Sequence, residues 1–250
     1  MLLSDAAVLP RPAGAVRSVA ARQPCDICRF QKLNFCGALF GHDGRDRIAG
    51  IHRTSAARHN IYRAGEPSEG VAVVCDGWAV RFLQLPTGRR QILSVVMPGD
   101  LISAGAAFAR ELAFSVQAVT SLRYCIFPFS DMRARLHDDP ALLDSWMALA
   151  AAEHRDADRR LVDLGQRAAL ERIASLIFQI MLRVEERGEL AGGEFVFPMS
   201  QQQMADCTGL TPVHTCRVLS ALRKSGVCDV GHGAIKILDR AELQRIAALK

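Results

Sequence analysis

Between about residues 47 and 130 the apolar positions come in short runs separated by turn formers: VAVVCDG, WAVRFLQLPTG, RRQILSVVMPG, FSVQAV and RYCIF. Such runs predict β-strands. Glycines at 65, 77, 88 and 99 recur at intervals of 11 or 12, as antiparallel strands joined by tight turns require. Pro86-Thr87-Gly88 and Pro98-Gly99 mark two of the corners. The pattern predicts a β-roll or barrel-like domain.

After Pro140 the period changes. Leu143, Met147, Ala150, His154, Ala157, Leu161 and Leu164 alternate by four and three, an a/d seam of about three heptads. Glu153, Arg155, Asp156, Asp158, Arg159 and Arg160 form a charged surface away from it. An amphipathic helix packed on its own domain would have the same period. The narrow seam, with small and polar members, favours pairing between two copies of the chain. A second helix over about 168–186 is apolar at Ile173, Leu176, Ile177, Ile180, Met181 and Val184, and predicts the core of a C-terminal domain. Gly188 to Gly193 break it, and Phe195-Val196-Phe197-Pro198 predicts a short strand.

The next segment reads as two short helices and a hairpin. Ser200 with Gln203 three residues later forms a capping-box pattern, and Gly209 supplies the turn. Thr211 then caps a second helix with Pro212 at its first position, where a missing N–H costs nothing. Met204, Ala205 and Leu210 with Val218, Leu219 and Leu222 provide the contacts that hold two helices at a steep angle. Apolar runs at 227–230 and 234–238 flank Gly231-His232-Gly233, completing a winged helix-turn-helix. A second helix laid in the major groove would turn Val213, His214 and Arg217 to base edges, with Cys216 alongside and the caps Ser200 and Thr211 in the same DNA-facing set. The planar fork of Arg217 suits guanine O6 and N7. Arg223 and Lys224 are expected at phosphates, which position without specifying.

Composition narrows the classes. The 250 residues allow two domains, half are apolar, and a net charge of +5 permits a nucleic-acid partner. The strongest apolar stretch, 173–182, is far shorter than the roughly 20 residues that cross a bilayer. Asp5, Pro10 and Pro12 interrupt the N-terminal apolar tract, so residues 1–22 read as a flexible tail and the expected location is cytoplasmic, without a membrane partner. In a reducing compartment eight cysteines are not a disulfide scaffold. No Ser/His/Asp set, carboxylate pair or phosphate loop points to an enzyme.

Cys25, Cys28 and Cys36 stand at C-x2-C-x7-C spacing, and Cys125 lies far downstream. Four thiolates hold either zinc or a [4Fe–4S] cluster. Zinc sites usually pair short spacings, and only one C-x2-C is present, so three clustered cysteines with a distant fourth favour the iron–sulfur cube. The bland alternative makes all four incidental. Cys75 is a reserve fourth ligand, Cys207 and Cys228 read as packing, and Cys216 as an exposed thiol.

Over residues 25–240, and most specifically in SQQQMADCTGLTPVHTCRVLSALRKSGV, the chain resembles the Crp/Fnr superfamily of bacterial transcription regulators. The resemblance implies an α+β architecture: an N-terminal β-roll sensor domain like those that bind cyclic nucleotides, a long dimerisation helix, and a C-terminal winged helix-turn-helix. The matching segments are a cysteine-rich stretch 23–46, the β-roll 47–138, the helix 139–166 and the DNA-binding domain 167–250. The cysteines look like those of the oxygen-sensing Fnr branch. This implies an oxygen-labile [4Fe–4S] cluster on Cys25, Cys28, Cys36 and Cys125. It also implies a homodimer on double-stranded DNA with a TTGAT-like inverted repeat, RNA polymerase as partner, and activity in low oxygen.

Two positions depart from that branch. The gap before the third cysteine is longer than in many members, though it resembles a known variant. The reading helix of Fnr usually carries Glu-x-x-Ser-Arg, where this chain has Val213, Cys216 and Arg217. Cyclic nucleotide is not expected, because Gly99-Asp100 followed by Arg110-Glu111 does not match the Gly-Glu and Arg-Ser/Thr of nucleotide-binding members. The alternatives are a regulator of the same family answering nitric oxide or another redox signal, and one stabilised by zinc.

Overall fold

The computed structural model describes residues 36, 39, 50–107 and 111–247. The tail 1–22, Cys25, Cys28 and Arg110 lie outside the described residues, as does the 23–46 segment apart from Cys36 and Leu39.

Seven strands build the predicted roll: β1 (Ile51–Ser55), β2 (Asn60–Tyr62), β3 (Gly70–Asp76), β4 (Ala79–Gln84), β5 (Arg90–Val96), β6 (Ser115–Ala118) and β7 (Leu122–Pro128). They form two antiparallel sheets, β1-β7-β3 and β2-β6-β4-β5. Ala72 and Val74 of β3, Ala79 of β4, Val96 of β5 and Leu122, Tyr124 and Ile126 of β7 share the core of the roll. Their alternate neighbours are buried as well. Val71, Val73, Cys125 and Phe127 meet helices on one side, and Val80, Phe82, Ile92 and Val95 meet the C-terminal domain on the other. With both faces covered, the strands read as nearly continuous apolar runs rather than a clean alternation.

Gly77 shows why the turn glycines are where they are. Its φ is +82°, and a Cβ there would stand 2.1 Å from the Ser121 carbonyl oxygen. A side chain is therefore excluded by both conformation and space.

Two helices follow the roll, α1 (Phe129–Asp138) and α2 (Pro140–Gln166). Asp139 separates them, its carboxylate accepting from the Leu142 amide at 3.1 Å as the N-cap of α2, with Pro140 at the first helical position. Of the 27 residues of α2 only Leu142 and Trp146 are buried.

The C-terminal domain comprises α3 (Ala169–Glu186), β8 (Glu194–Val196), α4 (Gln201–Thr208), α5 (Pro212–Lys224), β9 (Cys228–Gly231), β10 (Ala234–Ile237) and α6 (Arg240–Ile246). All six predicted apolar positions of α3 are buried. The wing is a three-stranded sheet, β8-β10-β9, in which the predicted short strand is the third member.

This domain packs directly on the β4–β5 face of the roll, within one apolar core. Polar contacts frame the junction. Arg90 donates to Asp206 at 2.9 Å, and Gln91 donates to the Cys207 carbonyl at 3.3 Å. Arg187, just past the end of α3, bonds Asp100 at 2.6 Å and the Pro98 carbonyl at 2.8 Å, while Arg183 of α3 bonds Asp100 as well. One carboxylate in the turn after β5 thus holds two guanidinium groups of the C-terminal domain.

Candidate functional site

The two short helices stand where the caps place them. The Ser200 hydroxyl accepts from the Gln203 amide at 3.2 Å, and the Gln203 side chain accepts from the Ser200 amide at 2.8 Å, a reciprocal capping box. Gly209 ends α4 with φ +65°, a left-handed conformation suited to glycine. Thr211 accepts from the His214 amide at 3.2 Å and starts α5 with Pro212. Thr215, Val218 and Leu222 turn inward and fix the rotation of α5. That rotation leaves Val213, His214, Cys216 and Arg217 on one exposed face, with Val213 63% exposed. Among the described residues the Arg217 guanidinium has no hydrogen-bond or ion-pair partner, so its fork is available to a ligand.

Arg223 departs from the expectation of a phosphate contact. Its Nε donates to Asp229 at 2.5 Å and its Nη2 donates to the Val230 carbonyl at 2.9 Å. Both partners lie on β9, so Arg223 braces the wing against α5. Lys224, at the exposed end of α5, remains placed for a phosphate. Ser200 and Thr211 act here as caps, their hydroxyls already accepting from amides.

The cysteines sort into two groups. Cys207 and Cys228 are buried in the C-terminal core, where burial pushes their thiols up to about 12 and about 11. They are packing residues, as read from the sequence. Cys36 and Cys125, nearly 90 positions apart in sequence, are buried in one cluster on the outer face of β3 and β7. Cys75 lies at the edge of that cluster, at a bulge in β3 between Val74 and Asp76. Among the described residues no group of three or more metal-ligating side chains converges.

The same cluster contains Leu142 and Trp146 of α2. Leu143 and Met147, one residue on from each, face outward with exposures of 39% and 58%, and Leu161 further along is 69% exposed. His154 and Ala157 are exposed on the same helix. The seam differs from expectation at two members. Ala150 packs against the cysteine cluster, and Leu164 turns toward the chain's own α4, where it would touch a Cβ on Gly209 at 3.2 Å. Val162, absent from the predicted seam, is 51% exposed. A seven-residue repeat drifts around a straight helix, so the last members rotate off the stripe.

Comparison with known proteins agrees with this architecture. Residues 52–139 match the model of the cyclic nucleotide-binding domain, and residues 171–246 match that of the Crp-like helix-turn-helix domain. The nitrogen fixation regulation protein FixK of Azorhizobium caulinodans is 32% identical over 193 residues, covering 76% of this chain and 77% of its own. The chain belongs to the Crp/Fnr family. Another relative, the anaerobic regulatory protein of Pasteurella multocida, is 27% identical over 183 residues, 73% of this chain and 67% of its own. The solved structure of FixK2 from Bradyrhizobium japonicum superposes with a TM-score of 0.74 at 25% identity, covering 81% of this chain and all of that one. As a Crp/Fnr protein the chain is a DNA-binding transcription regulator and not an enzyme. Among the described residues no helix is long and apolar enough to cross a membrane.

Proposed function

We infer that this Crp/Fnr protein is a homodimeric transcription activator whose DNA binding depends on an oxygen-labile [4Fe–4S] cluster held by Cys25, Cys28, Cys36 and Cys125. The observation that carries the reading is the shared core of Cys36, Cys125, Leu142 and Trp146. It ties the cysteines to the same two turns of α2 that present Leu143 and Met147 outward. The name of the Pasteurella relative, an anaerobic regulatory protein, supports the oxygen link.

The two described ligands fit the group. Their thiols share an apolar shell, and the Cys125 sulfur packs against Gly50 where a side chain would otherwise stand, since a Cβ there would come within 2.1 Å of it. When bound, the cluster supplies a four-thiolate link between the N-terminal segment and β7 that oxygen breaks. The chain's own residues do the rest. Trp146 and Leu142 hold the start of α2 on the cysteine core, and Leu143, Met147 and Leu161 form the stripe that a second copy covers. A dimer places two α5 helices on successive half-sites of an inverted repeat. Arg217 reads a guanine of a TTGAT-like half-site, His214 and Val213 meet neighbouring bases, and Lys224 meets phosphate. Bound in this way the dimer recruits RNA polymerase.

Cyclic nucleotide has no part in this reading. The Asp100 carboxylate is committed to Arg183 and Arg187, and the amide of Ala104, at the start of the short 3-10 helix Ala104–Ala107, already donates to Glu153 of α2 at 3.0 Å.

The test is anaerobic purification with iron, sulfide and zinc quantified, alongside operator binding before and after air. Four irons and four sulfides per chain, with binding lost in air and in Cys36→Ala and Cys125→Ala, is the expected result. Tight operator binding by air-exposed, iron-free protein, or stoichiometric zinc without iron, overturns it.

A further inference from the structure

A cavity of about 50 Å³ opens between the C-terminal half of α2, the face of α3 and the end of α4. Measured against the roughly 10–15 Å³ that a single water requires, it has room for several waters or one small oxyanion. Its lining is strongly cationic: Arg159, Arg160, Arg172 and Arg183 face only Asp156 and Asp163.

Most of this positive charge lacks a carboxylate of its own. Asp156 is taken by Arg159 at 3.1 Å, and Asp163 by Arg167 at 2.8 Å, with Ser175 donating to its other oxygen at 2.9 Å. Arg183 shares the single carboxylate of Asp100 with Arg187. Among the described residues Arg172 donates only to the carbonyls of Arg167 and Thr208, at 2.8 and 3.3 Å. Among the described residues Arg160 has no hydrogen-bond or ion-pair partner at all. Yet the residue is partly buried, with Arg183, Cys207, Asp156 and Asp163 around its guanidinium. The residue as a whole keeps some solvent contact, as a group lining an open cavity does. Burial pulls the Arg160 pKa below its ordinary value. A partly buried guanidinium without a dedicated partner is costly, because Asp156 and Asp163, each already paired, only partly offset its desolvation. A bound anion removes that cost, and guanidinium forks match the oxygens of a phosphate.

We propose that this cavity is a binding site for a phosphate dianion, free or as the terminal group of a small phosphomonoester, with Arg160 as its principal ligand and Arg172 as its second. The site is separate from the cysteine core and from the exposed face of α5. Its walls are the dimerisation helix on one side and the scaffold of the DNA-reading helix on the other. An anion seated there ties α2 to α3 and α4.

The test is calorimetric titration of the full-length chain, without DNA and in chloride buffer, with inorganic phosphate and in parallel with glycerol 3-phosphate. Binding is read directly, so the result does not depend on whether iron is bound or on the reading proposed above. The expected outcome is saturable one-site binding in the millimolar range or tighter, weakened at least tenfold in Arg160→Gln. Binding of phosphate assigns the free ion, and binding of the ester alone assigns a phosphomonoester. Arg160→Lys, which keeps a cation but loses the fork, is the second variant. Where Arg160→Gln does not fold by circular dichroism, Arg160→Lys is expected to fold and bind severalfold more weakly. Binding of neither ligand, or affinity unchanged in the folded variant, overturns the proposal.

Discussion

Gly50 lies against Cys125: a Cβ added to the glycine would stand 2.1 Å from the cysteine sulfur and 3.0 Å from the Phe127 ring. Gly50 immediately precedes β1, and Cys125 is the middle of β7, the strand to which β1 pairs. The missing side chain is therefore what lets the chain enter the roll beside this sulfur. Gly50→Ala is expected to force Cys125 or β1 aside, an overpacking cost of about 1–3 kcal/mol. Urea unfolding of the metal-free protein measures the stability loss. Iron bound per chain after anaerobic reconstitution is expected to fall with it, whereas retention of both would show that the strand entry adapts freely.

Arg217, Arg223 and Lys224 lie within eight residues of one helix, yet the structure separates their roles. Arg217→Ala is expected to cost about 1–3 kcal/mol of operator affinity and to relax the preference for guanine at one position. Lys224→Ala is expected to weaken all sequences alike and to reduce the slope of log K against log salt by about 1. Arg223→Ala leaves that slope unchanged, since its guanidinium is already taken by Asp229 and the Val230 carbonyl. The Arg223–Asp229 pair is more than half exposed on one side and nearly so on the other, so its loss is worth less than about 1 kcal/mol of stability. Electrophoretic mobility shifts at several salt concentrations distinguish the three.

These helices were legible in the sequence because their signals are local. Ser200 with Gln203, Gly209, and Thr211 with Pro212 each act within one turn, and the structure uses every one of them. Leu143, Met147 and Leu161 of the a/d series are exposed, but periodicity says nothing about which neighbour a stripe meets. Leu164 keeps the period and still turns to α4, because the C-terminal domain sits against that end of α2. Arg223 was misplaced for a related reason. Its composition and position suit a phosphate, and only the return of β9 beside α5 supplies Asp229 as a nearer partner. The junction between roll and DNA-reading domain had no sequence signal. Asp100 and Arg187 are separated by 87 positions, and neither stands in a repeating pattern.

That junction carries its own prediction. The Arg187 side chain is only 2% exposed, and Asp100 is its carboxylate partner as well as that of Arg183. Asp100→Asn leaves an enclosed guanidinium without its counter-charge, a loss of about 3–5 kcal/mol by analogy with other broken buried pairs. Unfolding followed by tryptophan fluorescence is expected to report it well, because Trp78 lies in the shared core. A loss below about 1 kcal/mol would mean that the Asp100 carboxylate contributes little to holding the domains together.

The buried thiols make the fold less stable at alkaline pH. Cys207 has an ordinary thiol value of 9.0, and burial pushes it up to about 12 in the folded chain; Cys228 moves the same way, to about 11. Above about pH 9 the unfolded chain releases these protons while the folded chain keeps them, so the unfolded state binds fewer protons and stability falls as pH rises. The contribution is fully present below the ordinary value and is lost progressively as the pH climbs through 9.0 toward about 12. Replacing Cys207 with serine would substitute a group that does not titrate there, but it adds a buried hydroxyl. Cys207→Ala is therefore the cleaner variant. Denaturant midpoints compared between about pH 8 and pH 10 should fall less steeply in Cys207→Ala than in the wild type, while identical slopes would show that this thiol ionises equally in both states. Iodoacetamide gives an independent reading at pH 8. Exposed Cys216 is expected to be alkylated in the native protein, and Cys207 and Cys228 only on unfolding.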